Sequence, residues 1–396
     1  MKRVNTFLTT ILLAVTAGCG GGNKQSTDDF LTVDVTKSYP KKELILQDFM
    51  DVEYIPLETT DEFVNQGVVL DIGKKIIVVK NRARDGDIFI FDRNGKGLRK
   101  FNHLGQGPED YTYISSITLD EDYNELFVRD WAAEKMLVYD LSGKFKRSFK
   151  YKGTGWNNNN YNFDKGYLIC YNSNYENDEI ISDPPFMILS KQDGSIVKDI
   201  QIPYEQKISD EIRIYKDEIV ATTLINSYPI IPYHDSWILT ILSSDTVFSY
   251  LPNQSMRPFM VRTPSIHSLN PVVFLFPEML TERYYFLQAI KNSPELVGST
   301  PMDTRVRFPR AFLLYDRKEQ TIFEYTVYNG DYSNQKEVSV SRNTTNNEIA
   351  FCSPIEAYQL VESYEKGELK DGKLKEIAAK LDAEDNPVIM LVKHKK

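Results

Sequence analysis

An all-β fold, a six-bladed β-propeller with a short helical insertion near the C-terminus, is predicted by three observations: a recurring strand, a recurring hairpin and chain ends that can share a blade. Strands rich in β-branched and aromatic residues begin at Ile76, Leu126, Tyr167, Glu218, Tyr284 and Glu348, at intervals of 50, 41, 51, 66 and 64 residues. This is close to the period of four-stranded blades with two enlarged members, and too long for most solenoids.

Hairpin units follow most of these strands, at 88–101, 136–149, 186–200 and 312–325, and 237–250 reads as a degenerate copy. Asn94-Gly95, Ser142-Gly143 and Asp193-Gly194 supply the positive φ of tight hairpin turns between runs that alternate with period two. Each unit is the outer antiparallel half of a blade. A lone blade leaves sheet faces and edges uncovered, so closure of a ring is what stabilises the set.

The ends supply that closure. Residues 355–382 hold helix formers with apolar positions at helical spacing, interrupted by Gly367 and Gly372, which predicts two helices packed on the last blade. Beyond Asn386-Pro387 the run from Val388 reads as a final strand, and Val52–Glu58 pairs into the same blade. The propeller is therefore assigned to residues 30–396.

The first thirty residues carry an address. Lys2 and Arg3, an apolar run from Phe7 to Val15 and small residues before Cys19 have the layout of a secretory signal over residues 1–18. That run falls well below the roughly 20 residues a membrane-spanning helix needs. Ala17-Gly18-Cys19 resembles a bacterial lipobox, with Thr16 where an aliphatic residue is commonest, so Cys19 is the expected lipidation site and ordinary cleavage the alternative. Residues 19–29 then form a flexible polar tether. Asp28 and Asp29 resemble a surface-export signal placed far down that tether, which leaves periplasmic and surface-exposed positions on the outer membrane both open.

Composition narrows the partners. Of the 396 residues, 41% are hydrophobic and 26% charged, with a net charge of −9 and no sustained basic tract beyond Lys393–Lys396, so a nucleic-acid footprint is not expected. Apart from Cys19, Cys170 and Cys352 are too few for a disulfide framework and read as small buried hydrophobes.

Four segments, 51–62, 91–111, 136–149 and 381–393, resemble the six-bladed propeller lipoproteins of Bacteroides-like bacteria, which are similar in architecture to NHL and TolB-type propellers. The most specific piece is Gly105-Gln106-Gly107-Pro108 with Tyr111, which departs from the usual form in having Glu109-Asp110. The resemblance implies a fold and an envelope location, and brings no settled mechanism or ligand.

Candidate chemistry is sparse. Four histidines show no metal-ligand spacing, although His234 and His267 could meet across a channel; Asp120-Glu121-Asp122 reads as a solvated turn, without the spacing of a calcium loop. No metal and no cofactor is expected. GQGP reads as a crossover between blades, where glycines permit close backbone approach. Asp245-Thr246-Val247 resembles a short glycosylation sequon and equally reads as a strand start.

On the face of a propeller that carries the crossovers and the second-to-third-strand loops, the sequence gathers Arg82, Arg84, Gln106, Glu109, Tyr111, Arg129, Asp130 and Trp131 as a binding rim. A bland alternative has Arg129 and Asp130 as an inter-blade ion pair with Trp131 filling a gap. Three long connections, about 174–185, 225–236 and 291–310, add Tyr175, Trp237 and Arg307 as further contacts. The function expected is a non-catalytic, membrane-tethered envelope protein that binds a glycan, peptide or protein partner on this rim. Alternatives are a glycan-acting lyase or hydrolase using carboxylates such as Glu109 and Asp130, and a structural subunit of an envelope complex.

Overall fold

A computed structural model describes residues 30–395 except 83, 152–159, 173–174, 177–178, 181–183, 210, 217–218, 226–227, 299–304 and 341–345. The signal segment, Cys19 and the tether lie outside the described residues.

Six blades follow one another around a ring. Blade 1 is Val68–Ile72, Ile76–Lys80, Asp87–Asp92 and Gly97–Asn102, paired in that order and antiparallel throughout. Blade 2 (Ser116 to Lys150) and blade 3 (Asn160 to Ile200) repeat the pattern. First strands of blades 1, 2 and 3 lie side by side and so form the inner wall. Middle strands are buried on both faces, because each sheet is covered by a neighbour on either side: Ile76 to Val79 and Glu125 to Asp130 are buried throughout. Outer strands alternate and face solvent on one side.

The hairpin glycines do two jobs. Gly95, Gly143 and Gly194 have φ of 87°, 87° and 71°. Each turn also presses on the outer strand of the preceding blade, where a Cβ would stand 2.0 Å from the Pro56 carbonyl oxygen, 2.6 Å from Phe101 and 2.3 Å from Phe149 respectively. One residue type thus sets both turn shape and blade spacing.

Blade 4 corrects the expected phase. Its strands are Ile230–Tyr233, Ser236–Leu239, Thr246–Tyr250 and Met256–Thr263, so 237–250 is the second-to-third pair rather than the outer hairpin. The run expected from Glu218, of which Ile219–Leu224 is described, belongs to a hairpin with Glu211–Lys216 that among the described residues pairs only with itself, in the crossover from blade 3. Its β-rich composition is that of a blade strand, and only pairing tells them apart. Residues 225–236 are consequently no second-to-third connection, since they contain the first strand of blade 4.

The N-terminal segment forms a belt. Leu31–Asp34 adds a fifth, parallel strand outside blade 4, and Lys41–Ile45 does the same outside blade 5 (Val273–Leu280, Tyr284–Lys291, Arg310–Asp316, Thr321–Tyr328). The chain then enters blade 6 as Met50–Pro56, antiparallel to Val388–His394, with Val52 opposite Val392. Leu46, fully buried in a four-residue helix between the belt and blade 6, pins the junction. Lys42 fixes the belt on blade 5: its Nζ lies 2.8 Å from the fully buried Asp316 carboxylate and 2.7 Å from Glu319, while Arg283 of blade 5 itself lies 3.0 Å from Asp316. These cations hold the Asp316 carboxyl well below its usual range against the opposing effect of burial.

Blade 6 has three strands among the described residues: Ile349–Ile355, Val388–His394 and Met50–Pro56. Ile349–Ile355 runs like the second strands of other blades, and Glu356 at its end pairs with Arg82 in a second-to-third loop. Helices Ala357–Glu365 and Lys373–Ala378 follow it. They bury Leu360, Leu374 and Ile377 in the core shared by blades 5 and 6, as the apolar spacing requires.

Candidate functional site at the turn face

The crossover face carries the second-to-third loops and blade crossovers. Its opposite, the turn face, carries the short first-to-second turns. A cavity of about 930 Å³ opens on the turn face, lined by one turn from each of blades 1 to 4 and by residues 346–348 leading into blade 6. A second lobe of about 560 Å³ continues between blades 4, 5 and 6, and shares Pro232, His234 and Asn347 with the first.

The mouth is stitched from blade to blade. Asp71 of blade 1 accepts the Leu119 N–H of blade 2 at 2.7 Å, and Asn162 of blade 3 donates to the Leu119 carbonyl. The Glu121 carboxylate accepts three backbone N–H groups of blade 1, from Lys74 (2.8 Å), Lys75 (2.8 Å) and Ile76 (3.1 Å). Asn346 donates to the Ile72 carbonyl at 2.8 Å, and Asn347 reaches the His234 carbonyl of blade 4 at 2.7 Å. Such a rim is set before any ligand arrives, which lowers the ordering cost of binding.

Charge in the cavity is uneven. Seven carboxylates and three lysines line the larger lobe. Lys191, buried at the third-to-outer turn of blade 3, lies 2.6 Å from Asp120 and donates to the Asp164 carbonyl at 2.7 Å. Asp235 and Glu348 are exposed at the mouth. In the smaller lobe His234 Nε2 lies 3.3 Å from Glu282, and burial followed by the nearby His234 lowers the His394 pKa below its ordinary value.

The residues expected on the rim distribute differently. Arg82 is exposed and paired with Glu356 at 2.7 Å, and Arg84 lies over the Tyr113 ring at 4.8 Å. Gln106, Glu109 and Trp131 are exposed on the crossover face. Tyr111 is fully buried, donating to the Gly86 carbonyl at 2.6 Å, and burial pushes its hydroxyl up to about 12. Around it Gly107 donates to the Asp110 carboxylate and Tyr139 to the Glu109 carbonyl, so GQGPEDY is a folded crossover.

Arg129 is buried between blades 2 and 3 with its guanidinium 5.0 Å from the Tyr151 ring. The Asp130 carboxylate is occupied by Thr112 N–H (2.6 Å), Thr112 Oγ1 (2.9 Å) and Ala133 N–H (3.0 Å). The pair is thus split between two structural tasks, and neither Glu109 nor Asp130 faces the cavity.

Tyr175 sits in a small hairpin on the second-to-third connection of blade 3, and Arg307 is exposed on the hairpin Glu295–Val297 with Arg305–Arg307 in blade 5. Trp237 is not with them. Because blade 4 is shifted by one strand, Trp237 opens a second strand and lines the turn-face cavity, with Phe163 stacked at 6.2 Å and Tyr161 at 6.0 Å. His267 lies outside both lobes, and Thr246 starts a strand. Asp120-Glu121-Asp122, expected as a solvated turn, forms part of the mouth. The signal that finds such residues is positional: each blade places a polar turn at the same phase.

A family model, the domain of unknown function DUF4934, matches residues 30–393. The chain belongs to this family. Its fold resembles the crystal structure of a protein of Bacteroides fragilis assigned as exported, with a TM-score of 0.61 at 16% identity over 93% of this chain and 100% of that one. A DUF4221 member from Bacteroides vulgatus aligns with a TM-score of 0.46 at 10% identity, over 88% of this chain and 98% of that one. No curated protein matches the chain. Among the described residues no helix is long and apolar enough to cross a membrane, and no group of three or more His, Cys, Asp or Glu is placed to hold a metal ion.

Proposed function

We propose that this DUF4934 protein is a non-catalytic binding protein of the cell envelope, tethered to the outer membrane through a lipid on Cys19, that takes a glycan, peptide or protein segment at the turn-face mouth. The observation that carries the reading is the two-lobed cavity with a rim cross-linked between blades. A concave site of this size with fixed polar groups around its rim suits ligand capture. The lipobox-like start and the resemblance in fold to an exported Bacteroides protein support the location.

The test is a thermal-shift screen of the purified full-length protein against envelope glycans and peptides, since a native-state ligand raises Tm by mass action. The reading expects a hit that Asp235→Asn with Glu348→Gln weakens. Hits weakened only by Arg307→Ala or Trp131→Ala return the site to the crossover face, and oxidation, hydrolysis or elimination of a hit compound makes the protein an enzyme.

A further inference from the structure

The two lobes differ in chemistry, and together they select a ligand class; this deepens the binding reading above and rests on it. The larger lobe has an excess of four negative charges from its seven carboxylates and three lysines. Low-dielectric walls focus that field outward, so anions are repelled and cations concentrated. Asp235 and Glu348 at the mouth are engaged by no protein cation among the described residues, and Asp122 meets only the exposed Lys74 at 3.5 Å.

A neutral sugar recognised by stacking needs an open aromatic face. Trp237 does not offer one freely, because Phe163 stacks on it and Tyr161 tilts against it. Tyr123, about half exposed at the same mouth, is the open ring there, and the carboxylates around it favour a cation on that ring over a neutral sugar. The smaller lobe is lined by Leu44, Phe49, Leu280 and Tyr284, with its charges balanced between Asp48, Glu282, Arg283 and Lys395. It suits an apolar group.

We propose that the ligand is an extended peptide segment with a lysine or arginine side chain in the acidic lobe and an apolar side chain two residues away in the second lobe. Alternate side chains of an extended peptide reach about 7 Å apart on one side, which lets one segment enter both lobes across the shared residues His234 and Asn347.

The test is fluorescence polarisation of labelled hexapeptides that carry Lys and Leu, Lys and Ser or Glu and Leu two residues apart (Lys-Leu, Lys-Ser and Glu-Leu below), on the full-length protein, with spermidine as competitor. Lys-Leu is expected to bind, with either single change costing about tenfold, and binding to weaken as salt rises. The triple variant Asp122→Asn, Asp235→Asn, Glu348→Gln is expected to weaken Lys-Leu binding about tenfold and flatten the salt dependence at unchanged Tm. Equal binding of Glu-Leu, equal competition by spermidine, or an unaffected triple variant overturns the proposal. A glycan whose thermal shift the triple variant abolishes overturns it too, while leaving the turn-face binding reading intact; a screen with no turn-face hit fells both.

Discussion

Lys191 of blade 3 and Asp120 of blade 2 form a buried ion pair at 2.6 Å, at the edge of the cavity and beneath its rim. With side chains only 7% and 9% exposed, both charges are largely withdrawn from water. The pair therefore links the ring's construction to the shape of its mouth.

Removing one member leaves the other charge buried and unmatched, at a cost of about 3–5 kcal/mol. Lys191→Met is expected to lower the urea midpoint strongly. Lys191→Met with Asp120→Leu is expected to recover most of that loss. Equal stability of the single and double variants would remove the pair from the account.

Glycines separate blade spacing from turn conformation. Gly95 combines a φ of 87° with a Cβ position 2.0 Å from the Pro56 oxygen, whereas Gly367 has a φ of 68° and open space around it. Gly367→Ala is expected to cost about 1–2 kcal/mol for the left-handed backbone alone. Gly95→Ala must also push blade 1 from blade 6, and its chemical-denaturation midpoint is expected to fall clearly further.

The belt's side-chain anchor on blade 5 is Lys42, held by Asp316 and Glu319. Asp316→Asn removes the charge that both Lys42 and Arg283 bind, and hydrogen bonds to charged groups contribute about 1.5–3 kcal/mol. Limited proteolysis is expected to cut the variant first between the belt strands, within residues 35–40. A cleavage pattern identical to that of the wild type would show the belt held by its strand pairing alone.

His394 sets a pH dependence. Its pKa is lowered from 6.5, so below that value the unfolded chain binds the proton more readily than the fold does. The contribution is full above about pH 6.5 and is lost as pH falls through it, so stability rises with pH across this window. His394→Gln is expected to flatten that part of the curve, measured by urea denaturation between pH 5 and 7.5.

Much of the ring was legible because its signals are local. Asn94-Gly95, Ser142-Gly143 and Asp193-Gly194 announce their turns in two residues, and the buried middle strands announce themselves by composition. The pairing of Val52 with Val392 was legible from the need to close the ring. Blade 4 was misphased because Ile219–Leu224 has the composition of a blade strand while pairing outside the sheet. The parallel belt strands are short, and Leu31 pairs with Met260, too far along the chain for any local pattern to report. The mouth was missed for a related reason: each blade contributes only a short polar turn, such as that around Asp235 or Glu121, and the convergence of these turns exists only once the ring is closed.

The most direct measurement is a calorimetric titration of the Lys-Leu hexapeptide into three proteins: wild type, Asp235→Asn with Glu348→Gln on the turn face, and Arg82→Ala with Trp131→Ala on the crossover face. A site at the turn-face mouth predicts affinity about tenfold weaker in the first variant and unchanged in the second. Loss of binding in the crossover-face variant, with the turn-face variant binding like wild type, would contradict the account.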